Sequence, residues 1–304
     1  MSETLIPSVR RFNRTVTQWV GALTDQFLAR DRPLGQARLL WEIGPGGRDV
    51  RELRTALDLD SGYVSRLLRS LEEAGLARVE AKDSDRRVRV ARLTRAGKAE
   101  RALLDRRSDQ FAASLLEPLN DSQRMRLVQA MGEVERLLTA GMVTVEAVDP
   151  THPQAQYCLQ QYFRELDRRF DVGFDPTQSI PADADQLRAP DGLMLVATLR
   201  TDPIGCGALK LPAHEPAELK RMWVAESARG LGLGRRLLTE LETRAADHGA
   251  LRIRLETNRA LDEAIALYRS AGYREVDPFN DEPYAHHWFE KDLQPTTDYP
   301  ATAR

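Results

Sequence analysis

Residues 228–238, ARGLGLGRRLL, set three glycines within five positions between arginines, and a helical pattern follows at once. With a strand ending at Val224, such a loop and a helix starting near Gly232 aim several backbone N–H groups and the positive end of a helix dipole at one point. That is the chemistry of a phosphate cradle. Side chains at Gly230, Gly232 and Gly234 would obstruct close approach of an anion to the main chain. A plain strand-to-helix turn is the competing reading. No Gly-Lys-Ser/Thr follows the loop, and the spacing G-x-G-x-x-G is missing, so nucleotide hydrolysis and hydride transfer lose ground.

The elements that must position this loop are legible in outline. The stretch MVTVEAV (142–148) reads as a strand, and an amphipathic helix follows over about 151–168 with Tyr157, Leu159, Tyr162, Phe163 and Leu166. After a loop rich in Pro and Asp, GLMLVATL (192–199), PIGCGALKL (203–211) and AELKRMWV (217–224) form a β meander. Beyond the glycine loop come a helix to about His248, a strand LRIRLET (251–257), a helix LDEAIALYRSAG (261–272) and strands around YREV and HHWFEKDL. The order is mixed α/β.

The spacing Arg229-x-x-Gly232-x-Gly234 resembles the acetyl-CoA loop of the GNAT acyltransferases, and Asn258 and the segment LYRSAGY with Tyr268 follow in that family's order. The resemblance covers about residues 142–293 and implies a GNAT fold that binds acetyl-CoA. By resemblance, the cofactor residues are Met222, Trp223, Val224, the run Arg229, Gly230, Leu231, Gly232, Leu233, Gly234 and Arg235, and then Asn258, Ala264 and Tyr268. Acetyl transfer needs a neutral amine, a polarised thioester carbonyl and a proton for the departing thiolate. In the family a backbone N–H near Val224, at a splay between central strands, helps hold the thioester oxygen.

Tyr268 suits the proton, since a phenol with pKa about 10 can donate to a thiolate whose acid has pKa about 8.5. Packing as a core aromatic beside Ile265 and Leu267 is the alternative. Glu218, eleven residues before Arg229, occupies the place of the catalytic glutamate of some family members. It reads equally as a strand residue in a salt bridge with Lys220 or Arg221. His286 and His287 are rival bases. The acceptor amine is expected among Phe174, Arg221, Asn280, Tyr284 and His286, near Phe170, Asp175 and Trp223. That mixture of aromatic and acidic groups suits a small molecule.

The other half of the chain offers contacts of a different kind. RDVRELRTAL (48–57) puts Val50, Leu53 and Leu57 on one helical face. SGYVSRLLRSLEEAGL (61–76) repeats the pattern with Val64, Leu67, Leu68 and Leu71, with Asp60 or Ser61 as cap and Gly75 as stop. Its opposite face carries Ser61, Tyr63, Ser65, Arg66, Arg69 and Ser70, whose hydroxyl and guanidinium groups reach phosphates and base edges. RVEAKDSDRRVRVARL (78–93) reads as strand, turn and strand, with Asp83, Ser84 and Asp85 at the turn and Arg87 and Arg89 alternating with Val88 and Val90. A basic hairpin after a helix-turn-helix is a wing.

These segments, with Asp85-x-Arg87 running into LTRAG, resemble the MarR family of winged-helix transcription regulators over roughly residues 5–140. The resemblance implies double-stranded DNA contacts by Ser61, Tyr63, Ser65, Arg66, Arg69, Arg86, Arg87 and Arg89, with Asp85 orienting the wing. It also implies a homodimer built from outer helices over about 7–29 and 96–139. Paired recognition helices about 34–36 Å apart read a pseudo-palindromic operator.

Length and composition agree with two parts. A chain of 304 residues exceeds one core, so two domains are expected, 1–141 and 142–304. The first holds 25 Lys and Arg against 20 Asp and Glu, the second 19 against 26. A basic half beside an acidic one accords with a nucleic-acid partner. Cys158 and Cys206 make neither a disulfide framework nor a zinc site, and no run of about 18 apolar residues suggests a membrane span, so a cytoplasmic protein with no metal is expected. The combined expectation is a regulator that is also an N-acetyltransferase. A regulator that only senses acetyl-CoA and a protein lysine acetyltransferase are the alternatives.

Overall fold

The structure, a computed structural model, describes residues 5–19, 33–82, 85–213 and 215–294, and it divides into two compact units, Met1–Gln129 and Ala130–Arg304. Residues 20–29 of the expected first helix, Asp83 and Ser84 of the expected turn, and the side chain of Arg86 lie outside the described residues.

In the first unit, α1 (Leu5–Trp19) precedes α2 (Leu34–Ile43), β1 (Arg48–Asp49), α3 (Val50–Leu57), α4 (Ser61–Glu73), β2 (Ala77–Lys82), β3 (Asp85–Leu93) and α5 (Arg95–Leu116). Helix α6 (Asp121–Gly141) runs across the division between the units. Its core gathers Leu39, Leu40 and Ile43 of α2, Leu53 of α3 and Val64, Leu68 and Leu71 of α4. Asp60 caps α4 by accepting the Tyr63 N–H at 2.9 Å. Gly75, at φ +68°, ends it, with the Leu76 N–H donating back to Leu71 O at 2.9 Å.

Three features depart from the sequence reading. The segment expected as one helix from residue 48 starts as strand β1, paired with Val90 and Ala91 of β3, and Asp49 then caps α3 from its side chain. The wing therefore has three strands, in the order β1-β3-β2. Helix α2, which lines the core, has no counterpart in that reading. The outer helix expected over 96–139 is two helices, because Pro118 cannot continue the hydrogen-bond ladder. Asn120 then restarts the chain with a reciprocal cap: its Oδ1 accepts the Gln123 N–H, and Gln123 Oε1 accepts the Asn120 N–H, both at 3.0 Å.

The second unit is a seven-stranded sheet in the order β4-β5-β6-β7-β8-β10-β9. Its elements are β4 (Val143–Val148), α7 (Pro153–Arg169), β5 (Gly192–Leu199), β6 (Asp202–Lys210), β7 (Ala217–Val224), α8 (Leu233–Asp247), β8 (Arg252–Thr257), α9 (Asp262–Ser270), β9 (Arg274–Val276) and β10 (His287–Asp292). Strands β4 to β7 are antiparallel neighbours, whereas β7 and β8 run parallel. Leu233, Leu237, Leu238 and Leu241 of α8 pack on one side of the sheet with Leu195, Leu209, Ile253 and Phe289. Ala155 and Cys158 of α7 join Met194, Val196, Cys206 and Ala208 in a second cluster. Two apolar faces are what a mixed sheet between helices requires.

Candidate active site

Strands β7 and β8 pair only at Ala217↔Ile253 and Glu218↔Arg254, so beyond Glu218 they separate and leave a cleft. A register shift between β6 and β7, from Ala208↔Lys220 to Cys206↔Trp223, puts one extra residue in β7. At this bulge Arg221 has φ +57°, a left-handed conformation that non-glycine residues seldom adopt. The Cys206 thiol donates to Arg221 O at 3.2 Å and helps hold the bulge from below.

Two cavities open from the splay and share Tyr162, Leu166, Met222, Leu261, Ala264 and Tyr268. The larger, about 560 Å³, falls in the range of small-molecule sites. Of the expected cofactor residues, Met222, Trp223, Val224, Arg229, Gly230, Gly232, Leu233, Gly234, Arg235, Ala264 and Tyr268 line it. Leu231 instead packs against the core. Asn258 lines the smaller cavity, where both ends of its amide are engaged: Nδ2 donates to Tyr284 O at 2.7 Å and Oδ1 accepts the Ala260 N–H at 2.8 Å.

The glycine loop has the shape an anion seat needs, with a physical basis different from that expected at two positions. Gly230 and Gly232 have φ +80° and +74°, and a Cβ on either would meet no atom within 4 Å. Their requirement is backbone conformation, whereas at Gly234 a Cβ would lie 3.3 Å from Leu267 Cδ2. Gly232 begins α8 with no side chain capping the first turn, so those N–H groups are free to meet a ligand's phosphates. These residues fit the pyrophosphate and pantetheine of acetyl-CoA.

Glu165 of α7 was not foreseen. Its carboxylate accepts the Trp223 indole N–H at 3.0 Å, Arg229 Nη2 at 2.6 Å and Arg169 Nη1 at 3.3 Å. Arg169 reaches on to Glu263 and Ala260 O, both at 2.7 Å, so one partly buried carboxylate ties α7 to the glycine loop and to α9. The only signal in sequence is the i,i+4 pair Glu165 and Arg169.

Tyr268 is 5% exposed and faces both cavities. Burial, reinforced by Tyr162 and Glu256 nearby, raises its pKa well above that of an ordinary phenol, so it holds its proton. The smaller cavity, about 90 Å³, receives Phe174, Arg221 and Tyr284 as expected, together with Lys220 and Glu256. Lys220 pairs with Glu256. Asn280 stands behind it, donating to Glu256 Oε2 at 3.4 Å and accepting the Trp288 indole N–H at 2.8 Å.

Two expectations are corrected. Glu218 lines neither cavity; its carboxylate accepts Arg254 Nη2 at 2.7 Å and lies 3.3 Å from Lys220 Nζ. Although burial opposes it, these two cations lower its pKa, which makes it a weak base. His286 is exposed and contributes only its backbone N–H, to Thr257 O at 2.9 Å, while His287 bonds Glu275 at 2.6 Å. Neither histidine lines either of these two cavities.

In the first unit, Ser61, Tyr63, Ser65, Arg66 and Arg69 are all exposed on α4, and Arg87 and Arg89 are exposed on β3. Asp85 Oδ1 accepts the Arg87 backbone N–H at 3.0 Å, which fixes the wing's main chain rather than the arginine head. Arg66 stacks over the Tyr63 ring at 5.6 Å.

Comparison with known proteins follows the two units. Residues 159–273 match the acetyltransferase (GNAT) family and residues 31–88 the MarR family. The chain is 35% identical over 130 residues to an IAA acetyltransferase of Azospirillum brasilense, covering 42% of this chain and 84% of that one. Solved structures similar to it include a GNAT-family acetyltransferase from Staphylococcus aureus, at 17% identity and TM-score 0.44, over 50% of this chain and 99% of that one. Another is an aminoglycoside 6'-N-acetyltransferase complexed with coenzyme A, at 17% identity and TM-score 0.39, over 51% and 99%.

Proposed function

We propose that this chain, which belongs to the GNAT acetyltransferase family and carries a MarR-family region ahead of that domain, binds an operator with its first domain and acetylates a small amine with its second. The observation that carries the enzymatic reading is the meeting of the two cavities at Tyr268 and Met222, one beside the glycine loop and the other beside Glu256. The boundary between the two domains is proposed after Gly141, where α6 ends and before β4 begins at Val143.

Bound acetyl-CoA supplies an acetyl group as a thioester. The uncapped start of α8 and the amides of the glycine loop hold its pyrophosphate, and the splayed end of β7 near Val224 receives the pantetheine arm. Tyr268 keeps a proton on Oη for the leaving sulfur. Glu256 takes the proton released by the attacking amine, directly or through water: of the two carboxylates that line the inner cavity, Glu256 and Glu282, the second is already held by the Ser179 hydroxyl and the Ile180 and Tyr284 N–H groups. A cavity of 90 Å³ walled by aromatic rings supports a small acceptor over a protein lysine. The test is release of free thiol from acetyl-CoA across a panel of amines. Saturable CoA binding with no thiol release for any amine would favour the sensor.

Double-stranded DNA fits the exposed hydroxyl and guanidinium face of α4 and the arginines of the wing. Arg87→Ala is expected to weaken operator binding and to lower the slope of log affinity against log salt by about 0.9 if it meets one phosphate. Fluorescence anisotropy over a salt series reads both, and unchanged values would remove Arg87 from the interface. Helix α1 supports the homodimer: Leu5, Val9, Phe12, Val16 and Trp19 form a helical stripe that is 40–59% exposed, and none of its residues is buried. Phe12→Glu is expected to halve the mass seen by light scattering, and a variant still dimeric would place the interface elsewhere. Among the described residues no helix is long and apolar enough to cross a membrane. A cytoplasmic location is the one that suits DNA and acetyl-CoA as partners.

A further inference from the structure

The bulge in β7 delivers a cationic side chain to the smaller cavity with no carboxylate paired to it. Arg221 lies over the rings of Tyr162 and Phe163, at 5.8 and 5.0 Å, and lines the smaller cavity. Three other cations around the two cavities face carboxylates, Lys220 on Glu256, Arg229 on Glu165, and Arg169 on both Glu165 and Glu263, while Arg235 of the larger cavity donates to the Ser270 hydroxyl. Among the described residues Arg221 makes no ion pair with a carboxylate and has the Tyr162 hydroxyl as its side-chain partner, although the residue is only partly exposed and its backbone is held in a left-handed conformation. Strain of this kind persists where a side chain must be aimed. A half-buried guanidinium among aromatic faces is a ready partner for a planar anion, which it grips through two parallel N–H bonds.

The rest of the cavity completes a recognisable ligand. Phe174 lies 4.8 Å from Tyr284 and 5.8 Å from Phe170, which makes an apolar aromatic wall. Glu256 supplies a carboxylate to the amine end, and Tyr268 marks the place of transfer. Resting on the acetyltransferase reading above, we propose that the acceptor is a free amino acid with an apolar or aromatic side chain, its carboxylate held by Arg221. Its neutral α-amino nitrogen forms the new C–N bond as the thioester C–S bond breaks. The amine's proton passes to Glu256 or water, and the sulfur takes the proton of Tyr268. The products are an N-acetyl amino acid and CoA.

The experiment compares phenylalanine with phenylalaninamide and 2-phenylethylamine, in wild type, R221Q and R221K, by thiol release and by calorimetric titration of each compound in the presence of CoA. The amide keeps the shape of the acid and removes its charge, and its amine is the less basic of the two, so a preference for the acid reports the carboxylate. Phenylalanine is expected to exceed both analogues in kcat/KM and in affinity by about 10²-fold, the cost of leaving a site's charged partner unmatched. R221Q should bring that ratio to within about threefold, and R221K should fall between, since an ammonium keeps the charge without the fork. Equal or better use of the uncharged analogues by wild type, or an unchanged ratio in R221Q, overturns the proposal while leaving acetyl transfer standing. No reaction or binding with any of the three also overturns it, and a CoA titration then decides whether the acetyltransferase reading falls with it.

Discussion

Tyr268→Phe is expected to lower kcat by about 10²-fold or more, the range for loss of a positioned proton donor, while CoA affinity stays within about twofold. The change removes one hydroxyl and leaves the ring, whose neighbours Tyr273 and Phe289 lie at centroid distances of 5.7 and 6.1 Å, so packing is preserved. The hydroxyl matters because Tyr268 borders both cavities and is shielded from bulk water, which leaves few substitutes as donor to a departing sulfur. Burial raises its pKa above the usual value. The proton is therefore present at all lower pH and is lost only as pH rises through the raised value, so Tyr268 imposes no fall in kcat below about pH 10. Steady-state kinetics across pH, with a calorimetric CoA titration of the variant, reads both parts. Full turnover in the variant would mean the thiolate leaves unprotonated or takes its proton from water.

Gly232→Val is expected to abolish measurable CoA binding, a loss of about 10²-fold or more, with little effect on the DNA-binding unit. At φ +74° a β-branched residue costs about 1–3 kcal/mol of strain, and relief requires the loop to move. Because Gly232 starts α8, any such movement turns the first-turn N–H groups away from the anion they share. The lack of atoms within 4 Å of an added Cβ makes this a test of backbone conformation and not of crowding. Gly232→Ala should fall between the two. Calorimetry with CoA, alongside anisotropy with operator DNA as the control for folding, measures the effect, and retained CoA affinity in Gly232→Val would exclude this conformation from the binding mechanism.

The glycine loop was legible because its determinants are consecutive: positions 228–234 carry their own geometry wherever the rest of the chain goes. The same holds for α4, whose cap Asp60, buried face and stop at Gly75 lie within sixteen residues. What escaped depends on distant pairing. Glu165 acquires its role by meeting Trp223 and Arg229, 58 and 64 positions away, and nothing in its own neighbourhood announces that. Likewise, Arg48 and Asp49 become a strand only because Val90 and Ala91 offer an edge, which overrides the helical periodicity continuing from Val50. Of the two readings open for Glu218, base or salt-bridge partner of Lys220, the geometry favours the second for a related reason. Its position along β7 suits a base, but the parallel register sets it against Arg254, and the strands part only beyond that point. The bulge at Arg221 is a property of the β6–β7 register: β7 itself carries no glycine or proline, and the one local mark is Gly207 on the facing strand.

The most direct test is a crystal structure of this chain with CoA. The pyrophosphate is predicted to lie on the main-chain amides of residues 230–234 at the start of α8, with the sulfur beside the Tyr268 hydroxyl. Density for CoA anywhere else, or a sulfur remote from Tyr268 in a fully occupied site, would contradict the account.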